Sequence, residues 1–185
     1  MRWAAFLPRR NTKHLSKLGE LWYTPSQQSG ICGVGILFKK YRVGFEWRGL
    51  ALFLAVMVPN FIWFAIPAPN NILRVVSRTP VTDTIATVCQ IAFIICLCLL
   101  IRIDQRPFRI SGMIIGTIVL TAAYYICWIL YYRGVANTAI IIGLTIFPCI
   151  AFLLFAIDRH NMIAVIPIIL FTICHLMYAT VNFIV

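Results

Sequence analysis

Long runs of apolar residues, with few or no charges inside them, dominate the chain after its first quarter. Short charged segments separate five such runs, which cover residues 49–66, 79–101, 110–132, 134–157 and 161–185. Each run can cross a hydrocarbon core about 30 Å thick, since an α-helix rises about 1.5 Å per residue. A backbone in lipid must satisfy its own hydrogen bonds, so the runs must be helices. The pattern predicts an all-α fold, a polytopic transmembrane helical bundle of five spans.

Local signals mark helix ends and kinks within this pattern. Thr79 followed by Pro80 suits the start of a helix, and Asp83 in the first turns favours the helix dipole. Pro59, Pro148 and Pro167 lie inside spans. Each would leave the carbonyl four residues earlier without its helical donor. Because the connections are short, we expect consecutive helices to pack as antiparallel neighbours.

Composition supports the membrane interpretation, and the distribution of charge predicts the orientation of the chain in the membrane. Hydrophobic residues make up 62% of the chain and charged residues 11%, whereas a soluble domain carries about 25% charged residues. The net charge of +11 comes from 16 Lys and Arg against 5 Asp and Glu. In a five-span topology, Arg74, Arg78 and Arg133 lie on one side of the membrane, and all the other basic residues lie on the same side as the N-terminus. The positive-inside rule then places the N-terminus in the cytoplasm and the C-terminus outside.

Residues 1–48 form a basic, aromatic segment without a span, ahead of the transmembrane domain of residues 49–185. Basic residues such as Lys39, Lys40 and Arg48 are interleaved with aromatic residues such as Trp22 and Trp47. This mixture suits a cytoplasmic, partly interfacial segment that contacts anionic lipid headgroups of the bilayer. Phosphates of nucleic acid attract the same charges, but no nucleic-acid motif accompanies them. We therefore predict lipid and no nucleic acid as the partner of this segment, with a cytoplasmic partner protein as an open alternative.

Polar side chains near the middles of the spans form the candidate intramembrane polar site, and they are Asn60, Gln90, Thr121, Thr145 and His175. At about 100° per residue, spans two to five each carry a polar stripe. Efficient packing turns these stripes toward one another. One interpretation is a set of interhelical hydrogen bonds, worth about 0.6 kcal/mol each. The other is a polar pocket or pathway for a small solute, which we rank second because no ionised group lies at the centre of a span.

No catalytic, cofactor-binding or metal-binding pattern accompanies these polar residues. The 7 cysteines form no CxxC pair, the 3 histidines are scattered, and the 5 carboxylates are not paired within any span. We therefore predict no enzyme activity, no cofactor and no metal. Asp158, Arg159 and His160 are interpreted as a solvated turn at the membrane surface.

Gly112 and Gly116 form a GxxxG pattern on the third span, which is a candidate helix-packing face toward another helix or another chain. The contact could be with a membrane protein partner or with a second copy in a homo-oligomer. The pattern is common in membrane helices, so it predicts a close-packed face without naming the partner.

The segment VPNFIWFAIPAPNNILR, residues 58–74, carries two prolines around an alanine after a Trp-Phe pair. It resembles a segment of a group of small, uncharacterised bacterial integral membrane proteins. The resemblance implies a multi-pass membrane fold that extends to the C-terminus, and residues 1–38 are not part of it. No activity is assigned to that group, so no functional residue is carried over.

Three functions remain open at this point for a multi-pass protein that we place in the plasma membrane. The first is a structural or accessory membrane component that acts through partners, which we favour. The second is a small-solute transporter or channel component with the polar site described above. The third and weakest is a lipid-handling enzyme at the outer face that uses Arg74, Arg78 and Asp83. A water-accessible cavity at His175 would favour the second function over the first.

Overall fold

The computed structural model of the protein describes residues 40–69, 71–74, 76–104 and 108–184. Five of the helices in these ranges are long and apolar enough to cross a membrane, which confirms the predicted all-α, five-span fold. They are α1 (Trp47–Ala65), α2 (Pro80–Leu99), α3 (Gly112–Tyr132), α4 (Thr138–Asp158) and α5 (Met162–Ala179), the last continued by a π-helical turn at Thr180–Ile184. The predicted ends agree to within about one helical turn. The expectations for residues 1–39 lie outside the described residues.

Two short strands were not part of the predicted pattern. β1 (Tyr41–Val43) precedes α1, and β2 (Leu100–Arg102) follows α2 directly. The two strands pair antiparallel, with Tyr41 opposite Arg102. We call the end of the bundle that carries them the strand end. The opposite end carries a short 3₁₀-helix at Asn71–Arg74, and we call it the pocket end.

The order of the helices in space differs from the expectation at one point. Packing joins α3 to α4, α4 to α5 and α5 to α2, while α1 lies against α2, α3 and α4 with fewer contacts. Antiparallel packing of consecutive helices therefore holds for three pairs and is wrong for α2 and α3. Phe93 of α2 packs instead on Phe171 of α5, with ring centroids 5.4 Å apart. Asn161, at the start of α5, also donates to the Cys96 carbonyl of α2 at 2.8 Å, so α5 occupies the flank that α3 was expected to cover.

The helix starts follow the capping signals in part. Ser111, Asn137 and Asn161 each accept a hydrogen bond from a backbone N–H in the first turn of the helix that follows. Thr79 occupies the N-cap position of α2 and Pro80 its first position, as predicted, but the Thr79 side chain makes no cap hydrogen bond. α1 continues through Pro59 without a break.

The GxxxG face of α3 makes one close contact within the described residues. A Cβ placed on Gly116 would lie 2.9 Å from Cδ1 of Leu154 on α4. A Cβ placed on Gly112 would meet nothing within 4 Å. Gly116 therefore serves the packing of α3 on α4, and the packing role of Gly112 stays a prediction.

A buried ion pair closes the strand end. Nη2 of Arg159 lies 3.1 Å from Oε2 of Glu46, and both residues are buried, with exposed fractions of 7% and 6%. The ring of Phe108 lies under two guanidinium groups, 5.8 Å from Cζ of Arg159 and 4.5 Å from Cζ of Arg48. The interpretation of residues 158–160 as a solvated turn is therefore wrong for Arg159. It is wrong because the carboxylate of Glu46, from the start of α1, draws the guanidinium inward.

Hydrogen bonds around this ion pair join the remaining elements of the strand end. The hydroxyl of Tyr41 donates to the His160 carbonyl at 3.1 Å and accepts from the Met162 N–H at 3.0 Å. Ser111 donates to the carboxylate of Asp158. Gly49 of α1 also approaches α2 closely, because a Cβ there would lie 2.9 Å from the Leu97 carbonyl oxygen. We refer to the Glu46–Arg159 pair and these surrounding contacts as the strand-end lock.

Removing one partner of the buried pair is expected to cost far more stability than removing its exposed neighbour. Arg159→Met removes the buried cation that lies 3.1 Å from the Glu46 carboxylate, and the loss of one partner of a buried ion pair costs about 3–5 kcal/mol. Arg48→Met is the matched control, because the Arg48–Glu46 contact is longer, 3.4 Å, and Arg48 is more exposed. It should cost about 1 kcal/mol or less. Unfolding of the purified protein by sodium dodecyl sulfate in mixed micelles measures both values, and equal losses would contradict the assignment.

Candidate functional site

A pocket of about 460 Å³ lies inside the bundle and is partly open. All five helices contribute to its wall, and it reaches beyond the helices to Leu73 and Phe183 at the pocket end. Most of its lining is apolar or aromatic. The polar side chains that line it are Asn60, Asp83, Thr87, Gln90, Tyr124, Thr145, His175 and Tyr178. Its volume lies in the usual range of small-molecule sites, about 300–1,000 Å³.

Four of the five side chains in the predicted intramembrane site line this pocket. Asn60 comes from α1, Gln90 from α2, Thr145 from α4 and His175 from α5. Thr121 does not line it, and its hydroxyl donates to the Thr117 carbonyl in the preceding turn of α3, at 2.8 Å. Tyr124, three positions further along α3, lines the pocket from that helix instead.

Tyrosine hydroxyls of α3 hold α1 in place as one wall of the pocket. Nδ2 of Asn60 donates to the hydroxyl of Tyr124 at 2.7 Å and to the Val56 carbonyl at 3.0 Å. The hydroxyl of Tyr125 donates to the Ala55 carbonyl at 2.6 Å. Ala55 is four residues before Pro59, so this carbonyl is the one that the proline deprives of its helical donor. The side chains of α3 therefore satisfy the backbone of α1 at its proline.

Further contacts fix the two segments that border the pocket end. Arg74 donates to the Trp63 carbonyl at 3.0 Å and lies over the Trp63 ring at 5.2 Å, which caps the last turn of α1. The carboxamide of Asn182 accepts from the Arg78 N–H at 2.7 Å and donates to the Thr79 hydroxyl at 3.2 Å. These bonds tie the end of α5 to the start of α2.

Several side chains of the pocket make no hydrogen bond within the described residues, and Nε1 of Trp63 and Nε1 of Trp128 are buried donors of this kind. Thr87 and Thr145 donate to carbonyls within their own helices, at 2.8 Å and 2.9 Å. In the part of the chain that the structure describes, neither the carboxamide of Gln90 nor the imidazole of His175 makes a hydrogen bond. The imidazole is held by stacking on the ring of Phe171, with centroids 4.9 Å apart. Polar groups at membrane depth normally find partners, so these two side chains point to a ligand in the pocket.

A cluster of phenylalanine rings separates the pocket from the strand end. Phe93 is 1% exposed, and its ring centroid lies 5.1 Å from that of Phe152 and 5.4 Å from that of Phe171. All three residues line the inner limit of the pocket. We call this cluster the phenylalanine floor. The strand-end lock lies on the strand-end side of this cluster.

The residues proposed for a lipid-handling site have different tasks in the structure. Arg74 caps α1, and the backbone of Arg78 bonds to Asn182. Asp83 lines the pocket, and no ion pair joins it to either arginine within the described residues. No group of three or more His, Cys, Asp or Glu that could hold a metal ion occurs among those residues. The lipid-handling interpretation gains no geometric support from this arrangement.

The chain matches no protein-family model, no curated protein sequence and no solved structure. The resemblance of residues 58–74 to a bacterial membrane protein group therefore stays a prediction.

Two lining residues lie outside the predicted intramembrane site. The sequence places Asp83 on the polar stripe of the second span with Gln90, but assigns it to the helix start and to the lipid-handling alternative. Trp63 belonged only to the quoted segment, and its position in the pocket follows from the packing of α1. The polar stripe of α2 indicated that Asp83 faces the site, whereas nothing in the sequence indicated that Trp63 lines the pocket.

The bond between Tyr125 and Ala55 predicts an energetic coupling to Pro59. Tyr125→Phe leaves the Ala55 carbonyl without a donor and should cost about 0.6–1.7 kcal/mol. In a Pro59→Ala background the helix supplies the missing N–H, so the same substitution should cost much less. The free energy of unfolding of the four proteins, measured in mixed micelles, gives the coupling. Equal costs in both backgrounds would contradict it, and Tyr132→Phe, which loses the bond to the Ile66 carbonyl, is the control that should not couple to Pro59.

Water access to the pocket can be tested by thiol labelling. In a background without the 7 native cysteines, Gln90→Cys should react quickly with a charged methanethiosulfonate reagent, because a thiol must ionise in water to react. Val88→Cys is the matched control on the same helix, since Val88 is 62% exposed on the outer, apolar surface of the bundle. Equal labelling rates at the two positions would show that water does not enter the pocket selectively.

Proposed function

We propose that this integral membrane protein binds a small amphipathic solute in the pocket and carries it across the plasma membrane. The observation that supports the proposal best is the pocket itself, to which all five helices contribute and in which Gln90 and His175 keep unused hydrogen-bonding groups. A bundle whose polar stripes served only packing would fill this space and pair these groups. The proposed role is not enzymatic, in line with the sequence prediction.

The difference between the two ends of the bundle also supports a carrier. The pocket is partly open and its lining extends to Leu73 and Phe183, while the phenylalanine floor and the strand-end lock lie toward the strand end. A carrier binds its solute in a site that is closed on one side of the membrane at a time. In this interpretation the floor and the lock form the closed gate.

The distribution of basic residues supports an orientation for the proposed carrier. In the described residues the strand end holds Lys40, Arg42, Arg48, Arg102, Arg109 and Arg159, whereas the pocket end holds Arg74, Arg78 and Arg133. The positive-inside rule favours the strand end as the cytoplasmic end. The pocket then faces the outside of the cell, and the protein takes up or releases its solute there.

An accessory role through partner proteins, the first of the sequence predictions, remains a prediction. It would explain the helix packing and the basic segment. It gives no reason for a pocket in which the side chains of Gln90 and His175 make no hydrogen bond within the described residues, and so we rank it second.

A transport assay with a pocket-filled variant tests the carrier proposal. Proteoliposomes are loaded with the small-molecule fraction of a cell extract, and the compounds that escape are identified by mass spectrometry. Wild-type protein should release compounds that Ala86→Trp retains, because Ala86 is buried and lines the pocket. Val88→Trp places the same ring on the outer surface of α2 and should behave as wild type.

A second variant guards against misfolding of Ala86→Trp. Gln90→Ala combined with His175→Ala leaves the packing of the helices intact but removes the unpaired polar groups, and it should also lose release. Identical release from wild type and both pocket variants would refute the carrier proposal. A monodisperse elution profile of each variant in detergent is the control for folding.

A further inference from the structure

We propose that the solute is an organic cation with an apolar body, held by the carboxylate of Asp83 and the ring faces of Tyr178 and Phe183. The inference rests on the proposed function, since it names the class of solute that the same pocket accepts. It follows from the charge of the lining, from the aromatic rings that line the same pocket as Asp83 and from the size of the pocket.

The charge of the lining is the first argument. Among the described residues that line the pocket, Asp83 is the only acid, and no Lys or Arg lines it. Within the described chain its carboxylate meets one long contact, from the Thr79 hydroxyl at 3.5 Å. It forms no ion pair there with Arg74 or Arg78. A negative group at the border of a low-dielectric pocket attracts a cation and disfavours an anion.

Aromatic rings that line the same pocket as Asp83 are the second argument. Tyr178 and Phe183 line the pocket in an edge-to-face pair, with centroids 5.3 Å apart. Tyr178 also lies parallel to the imidazole of His175, at 6.4 Å. Ring faces attract cations most strongly when water is excluded, and such rings are the usual receptors of quaternary ammonium groups. Arg74 already lies over Trp63, so we assign the ligand to the Tyr178 and Phe183 side.

The size of the pocket selects an organic cation over a metal ion. A metal such as Ca²⁺ or Mg²⁺ needs several oxygen ligands, whereas the described lining offers one carboxylate. The pocket of about 460 Å³ is far larger than an ion. Most of the lining is apolar or aromatic, which suits a hydrophobic body attached to the cationic group. Gln90 lies on the same face of α2 and can bond to a polar substituent of that body.

A pair of isosteric probes tests this assignment in lipid nanodiscs. The cation is 3-(trimethylammonio)phenol, and the neutral probe is 3-tert-butylphenol, which has the same shape without the charge. Binding is followed by calorimetry, with empty nanodiscs as the blank. Wild type should bind the cation at least about tenfold more tightly than the neutral probe, a difference of about 1.4 kcal/mol. Asp83→Asn should remove this preference and leave the affinity for the neutral probe unchanged.

Control variants separate the possible results. Asp104→Asn changes an exposed acid at the strand end and should preserve the preference of wild type. Tyr178→Leu keeps the charge of Asp83 but removes a ring. It should therefore weaken the binding of the cation more than the binding of the neutral probe. This variant also gives a result should Asp83→Asn fail to fold. If Asp83 served only the helix dipole of α2, Asp83→Asn would lower the thermal stability without changing the ratio of the two affinities.

The two proposals fail in different ways. Equal affinity of wild type for both probes, lost in Ala86→Trp, would overturn the cation assignment and leave the carrier proposal standing. No binding of either probe would also overturn the cation assignment. The carrier proposal itself falls only if the release assay shows no difference between wild type and the pocket variants.

Discussion

Lipid offers no hydrogen-bonding partner, and this constraint governs almost every polar contact in the bundle. Each buried donor or acceptor must be satisfied by the chain itself or cost free energy. The hydroxyl of Tyr125 donates to the carbonyl that Pro59 leaves without a helical donor, and Arg74 donates to a carbonyl in the last turn of α1. Glu46 and Arg159 neutralise each other where both are buried. Against this background the amide of Gln90 and the imidazole of His175, together with Nε1 of Trp63 and Nε1 of Trp128, are among the pocket-lining groups without a protein hydrogen bond in the described residues.

The two ends of the bundle meet this constraint in different ways. At the strand end charged groups pair with each other, and strands and loops close over them. At the pocket end the carboxylate of Asp83 borders a pocket with many aromatic residues in its wall. Within the described residues this carboxylate accepts one long hydrogen bond, from the Thr79 hydroxyl. A charge that is matched inside the protein stabilises a closed structure. A charge that is left for a ligand selects the ligand by its sign.

Much of this architecture is contained in the sequence, and the part that is missing has a common cause. Apolar runs predict the five helices, and the wheel of α2 places Asp83 and Gln90 on one face. The wheel of α3 predicts Thr121 near the site, but Thr121 is satisfied within its own helix and Tyr124 takes its place. The burial of Arg159 depends on Glu46, which is far away in the chain. Periodicity describes single helices, whereas these contacts depend on which helices become neighbours, as the pairing of α2 with α5 shows.

In the proposed carrier, α1 is the helix whose movement would cost the least free energy, because of the way it is attached to the bundle. About 17% of the apolar stretch of α1 is buried, compared with 61% for α4. Side-chain hydrogen bonds from α3 hold α1, and each contributes about 0.6 kcal/mol in a membrane, so exchanging them costs less than repacking α4. Pro59 already interrupts the backbone hydrogen bonds of α1 beside the pocket, which lowers the cost of bending there. α1 also carries Glu46 at its start and Asn60 in the pocket wall. A movement of this one helix would therefore change the lock and the pocket together, which is the coupling that alternating access requires.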